Sequence, residues 1–105
     1  MRKNLFVCDS TQPLIPEVEE AVKNYKTLVR NSCFEICDTN SIPSKSFSYF
    51  DDFYRIYVFD DETAKRIRKS FNIDSYKFCI IKLNKNMPRE RKLRDILCDF
   101  MLQNQ

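Results

Sequence analysis

The sequence predicts an α/β fold in which a four-stranded parallel sheet lies between two layers of helices. Short apolar runs typical of buried strands alternate with longer segments in which apolar residues recur every three or four positions. Parallel neighbours also need a connection of helix length, which these longer segments supply. We therefore expect a three-layer sandwich with strand order 2-1-3-4. It should form one domain over residues 1–105, because a chain of 105 residues suffices for one hydrophobic core.

The first half of the chain predicts two strands and one long helix. Residues 4–8 are an apolar run followed by turn-forming residues, which indicates a buried first strand. Residues 16–29 have helical apolar spacing, a proline at the start and acidic residues near the positive N-terminal end of the helix. Residues 33–37 predict the second strand. Residues 38–52 predict a linker with one helical turn near 46–51.

The second half predicts two more strands, each followed by a helix. Residues 53–59 are aromatic and β-branched, as in a strand, and residues 60–70 begin with acids and end with bases, as in a helix. Residues 77–83 predict the fourth strand, and Pro88 begins the last helix. The apolar stripe of that helix consists of Leu93, Ile96, Leu97, Phe100 and Met101.

The composition excludes several classes of functional site. The chain contains no histidine, which excludes imidazole bases, histidine-containing catalytic dyads and histidine-ligated metals. It contains no glycine, which excludes the glycine-rich phosphate loops of nucleotide-binding proteins. Its five cysteines are odd in number and scattered among apolar residues, which indicates reduced thiols. We expect no cofactor and no metal.

The sequence also predicts a location away from the membrane. No apolar run approaches the roughly 18 residues that a membrane helix needs. The first nine residues lack the apolar stretch of a signal peptide. We expect a cytoplasmic protein, or one of the host cytoplasm if the chain is viral, without a membrane partner.

The loop after the first strand is the expected ligand site, because open parallel sheets bind ligands at the carboxyl ends of their strands where the strand order reverses. Residues 7–16 read V-C-D-S-T-Q-P-L-I-P. This segment resembles the phosphate-binding loop of the low-molecular-weight protein tyrosine phosphatases, V-C-x-x-x-x-x-R-S-P. Residues 19–22, E-E-A-V, resemble the start of the helix that follows that loop. Residues 53–61 resemble the family's F-D-x-I-x-x-M-D-E segment.

The resemblance implies a phosphatase-I-like fold over most of the chain and a site built around a cysteine. In that family the cysteine thiolate attacks phosphorus, while loop amides and an arginine hold the phosphoryl oxygens. Cys8 matches the nucleophile, and Pro16 matches the proline that closes the loop. The candidate loop residues between them are Asp9, Ser10, Thr11, Gln12, Pro13 and Leu14.

Two parts of the family's site are absent from this sequence. Leu14 occupies the position of the arginine, and no Asp-Pro pair supplies the acid that protonates the leaving group. Pro13 removes one amide donor, and Asp9 adds a negative charge beside the phosphate site. Losing one preorganised donor typically costs roughly 100- to 1,000-fold in rate. We therefore expect a catalytically degenerate binding or regulatory module whose partner is another protein, with phosphate or a phosphopeptide as the alternative ligand.

Two other functions stay open. In the first, Cys8 is an active phosphatase nucleophile or a phosphocysteine carrier, as in the similar loop of phosphotransferase-system IIB domains. The candidate anion-binding cations after the fourth strand are then Lys82, Lys85, Arg89 and Arg91. In the second, the chain binds nucleic acid through residues 65–94, which hold eleven Lys or Arg against two acids. The structural interpretation of Cys8 is a small buried hydrophobe at a strand end.

Overall fold

Four strands and four α-helices alternate along the described part of the chain. The computed structural model describes residues 2–9, 15–25, 32–84 and 86–103. The strands are β1 (Arg2–Cys8), β2 (Ser32–Asp38), β3 (Arg55–Val58) and β4 (Phe78–Ile80). The α-helices are α1 (Ile15–Tyr25), α2 (Phe47–Asp51), α3 (Asp61–Phe71) and α4 (Arg89–Gln103). Two 3-10 helices, Thr39–Ser44 and Ser75–Lys77, precede α2 and β4.

The four strands form one parallel sheet in the order β2-β1-β3-β4, which confirms the predicted sheet. β1 lies inside the sheet, where Leu5 pairs with Glu35 on one side and with Ile56 on the other. Its residues from Asn4 to Cys8 are all buried. A strand with both faces covered gives a continuous apolar run, which explains why the sequence signal for β1 is an unbroken run and not an alternation.

Helices cover both faces of the sheet, so the predicted three layers are present. On one face Leu5 and Val7 pack with Ala64 and Ile67 of α3, and α2 and the first 3-10 helix contribute to the same core. On the other face the core combines β1 and β3 with α1 and α4; its buried members include Phe6, Cys8, Val22, Ile96 and Phe100. Successive residues of β1 therefore point into different cores, as strand geometry requires.

A polar contact lies inside the second core. The Tyr57 hydroxyl donates to Asn4 Oδ1 at 3.5 Å, and the Asn4 amide donates to the Cys33 carbonyl at 3.2 Å. The Phe6 ring stacks on Tyr57 with centroids 4.6 Å apart. The ring centroid of Phe100, on α4, lies 5.7 Å from that of Phe6. Asn4 and Tyr57 thus satisfy buried polar groups within an otherwise apolar layer.

Both strands of the second half are shorter than predicted. Phe53 and Phe59 flank β3 without belonging to it, because the chain is already turning toward the flanking helices there. Lys77 belongs to a 3-10 helix, and its ammonium donates to the Asp51 carbonyl. At the other end of β4, Ile81 N donates to Val58 O at 2.8 Å, after which β3 offers no further partner. Residues 26–29, the predicted last residues of the first helix, lie outside the described part of the chain.

α3 has a well-defined cap at each end. At its start the Asp60 carboxylate accepts from Thr63 N at 2.7 Å, as N-cap residues do. At its end Asn72 adopts a left-handed conformation (φ 54°), and its N–H donates to Arg68 O at 2.9 Å. Helices commonly end this way at a glycine, which the chain lacks. After glycine, asparagine is among the residues that most readily adopt the left-handed conformation.

Candidate functional site

The carboxyl edge of the sheet contains the point at which the strand order reverses. After β1 the chain continues to β2 on one side of the sheet, whereas after β3 it continues to β4 on the other side. The segments that leave the neighbouring strands β1 and β3 therefore diverge at this edge. Cys8 ends β1 and pairs with Asp38, which ends β2. Phe59 and Asp60 follow β3. Ligand crevices of open α/β sheets lie at such a divergence, so the fold places Cys8 where the sequence expects a site.

The environment of Cys8 favours a protonated thiol. Its side chain is fully buried in the core between the sheet and helices α1 and α4. This burial, with smaller contributions from the negative charges of Asp38 and Cys37, raises the pKa of Cys8 to about 12. A catalytic cysteine needs the opposite shift, because the thiolate is the nucleophile and is stabilised by nearby positive charge.

Two acids near this edge, Asp38 and Asp60, are engaged in helix capping. Asp38 accepts a hydrogen bond from Asn40 N at 2.9 Å at the start of the first 3-10 helix. Asp60 caps α3. Asp9 is half-buried directly after Cys8. Within the described ranges, no group of three or more cysteines or acids is arranged to hold a metal ion.

The structure leaves most of the expected phosphate loop undescribed. Ser10, Thr11, Gln12, Pro13 and Leu14 lie outside the described residues, as does Lys85. The expectations for these positions therefore stay predictions from the sequence.

Arg89 is engaged by α1. Its Nη2 lies 2.5 Å from Glu20 Oε2, and its Nε lies 3.7 Å from Glu17 Oε1. These contacts connect the start of α4 to the first turns of α1. An open cavity of about 560 Å³ beside them is lined by Pro16, Glu19, Glu20, Lys23 and Arg89. With three carboxylates around this arginine, the surface is a poor cradle for a phosphate dianion.

The other candidate cations of this edge lie exposed. Lys82 follows β4 and Arg91 belongs to the first turn of α4, and both side chains are exposed. Among the described residues, neither forms an ion pair with a carboxylate, and neither joins the Arg89 contacts. The structure therefore does not bring the described members of the predicted cluster, Lys82, Arg89 and Arg91, together as one group.

The basic tract 65–94 is divided between the two faces of the sheet. α3 packs by Ala64 and Ile67 against one face, whereas α4 packs by Ile96 and Phe100 against the opposite face. A small ligand bound on one face of the sheet therefore contacts only one of the two basic helices. The charge total of the whole tract thus overstates the charge available to any one ligand.

A second candidate site lies at the end of α3, away from Cys8. The cations Lys65, Arg68 and Lys69 line an open cavity of about 370 Å³ together with Asn72 and Ile73. Counted along the sequence, these cations merge with the rest of the basic tract 65–94. The spacing of these cations, at positions i, i+3 and i+4, was the available signal, because such residues are neighbours on a helix surface.

In the described ranges, no helix is both long enough and apolar enough to cross a membrane.

Comparisons with known proteins give this chain no relative. No protein-family model, no curated protein and no solved structure matches the chain.

Proposed function

We propose that the chain is a non-catalytic binding module on a phosphatase-like scaffold, in which Cys8 is a structural thiol. The observation that carries this proposal is the complete burial of Cys8, which raises the pKa of its thiol to about 12. At pH 7 such a thiol is ionised in about one molecule in 10⁵. The population able to attack a phosphoryl group is therefore very small.

Among the described residues, no cation is shown in the place of the family's arginine. Leu14 stands at the arginine position. Arg89 is already held by Glu17 and Glu20. Its guanidinium is half exposed, and exposed ion pairs are weak, so it is free to exchange partners. Doing so would leave two carboxylates beside an incoming phosphate, which disfavours phosphate binding there.

Phosphatase activity tests the proposal directly. The purified chain is incubated with p-nitrophenyl phosphate beside the Cys8→Ser and Cys98→Ser variants. Cys98 is exposed on α4, so its variant controls for the loss of a thiol elsewhere. We expect no nitrophenol release that depends on Cys8. Release that Cys8→Ser abolishes and Cys98→Ser retains would overturn the proposal.

Thiol alkylation gives a second readout that does not depend on a chosen substrate. With iodoacetamide at pH 7.5 and peptide mapping by mass spectrometry, we expect Cys98 to react in the folded protein. Cys8 should react only after denaturation, because its sulfur is buried and protonated. Rapid alkylation of Cys8 in the folded chain would contradict a structural role.

A further inference from the structure

The cations of α3 form a compact basic surface. Lys65, Arg68 and Lys69 occupy neighbouring positions on the helix and line one cavity with Asn72 and Ile73. The side chains of all three cations are exposed, whereas Ile73 is 5% exposed. The acids of the helix, Asp61 and Glu62, lie in its first turn. The second half of α3 therefore presents positive charge alone.

Like Lys82 and Arg91, and unlike Lys3 and Lys77, these three cations have no carboxylate partner within the described residues. Lys3 pairs with Asp52 at 2.7 Å, and Lys77 pairs with Asp51 at 3.2 Å. No ion pair of this kind reaches Lys65, Arg68 or Lys69 in the part of the chain that the structure describes. The mutual repulsion of these three cations is relieved when an anion binds.

The helix itself slightly opposes an anion here. The C-terminal end of a helix carries about half a negative elementary charge. Three side-chain cations outweigh it, and the Asn72 N–H already bonds one of the terminal carbonyls, that of Arg68. The three lining cations therefore favour an anion at the cavity, against one acid, Asp74, that follows Ile73 in the sequence.

The chemistry of this surface favours nucleic acid over an acidic protein. Protein interfaces are depleted in lysine at their centres, whereas two of the three cations here are lysines. The 3-10 helix that follows the cavity in sequence carries Tyr76, which is 66% exposed. Tyr76 follows Ile73, a lining residue of the cavity, by three positions in the sequence. Exposed aromatic rings are the usual platforms on which proteins stack unpaired bases.

We propose that α3 and the segment after it bind single-stranded nucleic acid, with Lys65, Arg68 and Lys69 on the phosphates and Tyr76 stacked on a base. This surface shares no residue with the Cys8 edge. Binding here is independent of whether Cys8 has any catalytic role.

Fluorescence anisotropy with a labelled 20-nucleotide oligothymidylate tests the proposal. For about three phosphate contacts on a single strand, the logarithm of the affinity should fall with a slope of about −2 against the logarithm of the salt concentration. The dissociation constant should then rise about 20-fold between 50 and 200 mM salt.

Matched charge-removal variants locate the binding surface. Lys65→Gln, Arg68→Gln and Lys69→Gln together should weaken binding at least tenfold and flatten the salt slope. The control removes two lysines and one arginine on the opposite face of the sheet, by Lys23→Gln, Lys92→Gln and Arg94→Gln. It should weaken binding by less than threefold. Circular dichroism verifies that both variants fold.

Tyr76 distinguishes nucleic acid from other polyanions. Tyr76→Ala should weaken oligothymidylate binding about five- to 100-fold, whereas Tyr76→Phe keeps the ring and should bind within twofold of the parent. If the two triple variants lose affinity equally, binding depends on net charge alone and not on the α3 surface, which would overturn the proposal. So would an unaffected Tyr76→Ala variant together with equally tight binding of a 20-residue polyglutamate, which would indicate an acidic protein partner.

Discussion

Cys8 acts as a nucleophile only if its thiol ionises, and its position in the fold works against ionisation. The residue ends β1, yet its side chain points into the core shared by the sheet, α1 and α4. The nearby charges that affect it are those of Asp38 and Cys37, and both raise its pKa. A buried thiol of this kind behaves as a small hydrophobe. The same burial links Cys8 to stability at high pH.

We expect the free energy of unfolding to fall above about pH 9, partly through Cys8. The unfolded chain loses the thiol proton near the usual pKa of about 8.5, whereas the folded chain keeps it to about 12. Between these values the unfolded state binds fewer protons, so rising pH favours unfolding. The limiting contribution is about 1.4 kcal/mol per pH unit.

Urea denaturation at pH 8, 9 and 10 measures this dependence. Cys8→Ala should show a shallower decline than the parent, even if its stability at pH 8 is lower. Cys98→Ala, altered on an exposed position of α4, should run parallel to the parent. Parallel curves for the parent and Cys8→Ala would mean that the folded state does not hold the Cys8 proton.

Among the elements, α3 depends most visibly on its caps. Cations crowd the second half of its exposed face, and its buried residues are Ala64 and Ile67. The Asp60 carboxylate bonds Thr63 N at 2.7 Å, which satisfies one of the free N–H groups at the start of the helix. The caps therefore contribute to the stability of a helix that buries only two side chains fully.

Asp60→Ala should destabilise the chain by about 1 kcal/mol, since this is the usual cost of losing an N-cap side chain. Asp61→Ala is the matched control, because Asp61 is the next acid and belongs to the first turn without being the cap. It should cost about 0.5 kcal/mol through the helix dipole alone. Equal losses in thermal denaturation would show that charge, and not the cap hydrogen bond, stabilises the start of α3.

At the scale of the whole molecule, hydrophobic periodicity predicted the element types and their order. Each helix has an apolar stripe that tertiary packing uses, as with Ile96 and Phe100 of α4. Strand ends were less predictable, because they depend on where the partner strand stops. Ile81 makes the last sheet bond to Val58, although the apolar run continues to Leu83.

The candidate sites were predictable only where a single element defines them. The position of Cys8 follows from the end of one strand. The engagement of Arg89 by Glu17 and Glu20 depends on how α4 docks on α1, which local sequence does not encode. The division of the basic tract likewise depends on which face of the sheet each helix covers. Charge counted along the chain therefore merged two separate surfaces.

The two cores should unfold together, because one strand contributes to both. β1 places Leu5 in the core under α3 and Phe6 in the core under α1 and α4, so neither core can lose its helices without exposing the other side of the same strand. Ile67→Ala should cost about 2–5 kcal/mol and Phe100→Ala about 3–5 kcal/mol, since both side chains are fully or almost fully buried.

Each of these two variants should still unfold in a single transition, at a lower urea concentration than the parent. Urea unfolding followed by far-ultraviolet circular dichroism, which reports the helices, should coincide with unfolding followed by tyrosine fluorescence. Leu102→Ala controls for truncation on α4, because Leu102 is 66% exposed and its loss should change stability by less than about 0.5 kcal/mol. Separate midpoints for the two probes in Ile67→Ala or Phe100→Ala would mean that the layers unfold independently.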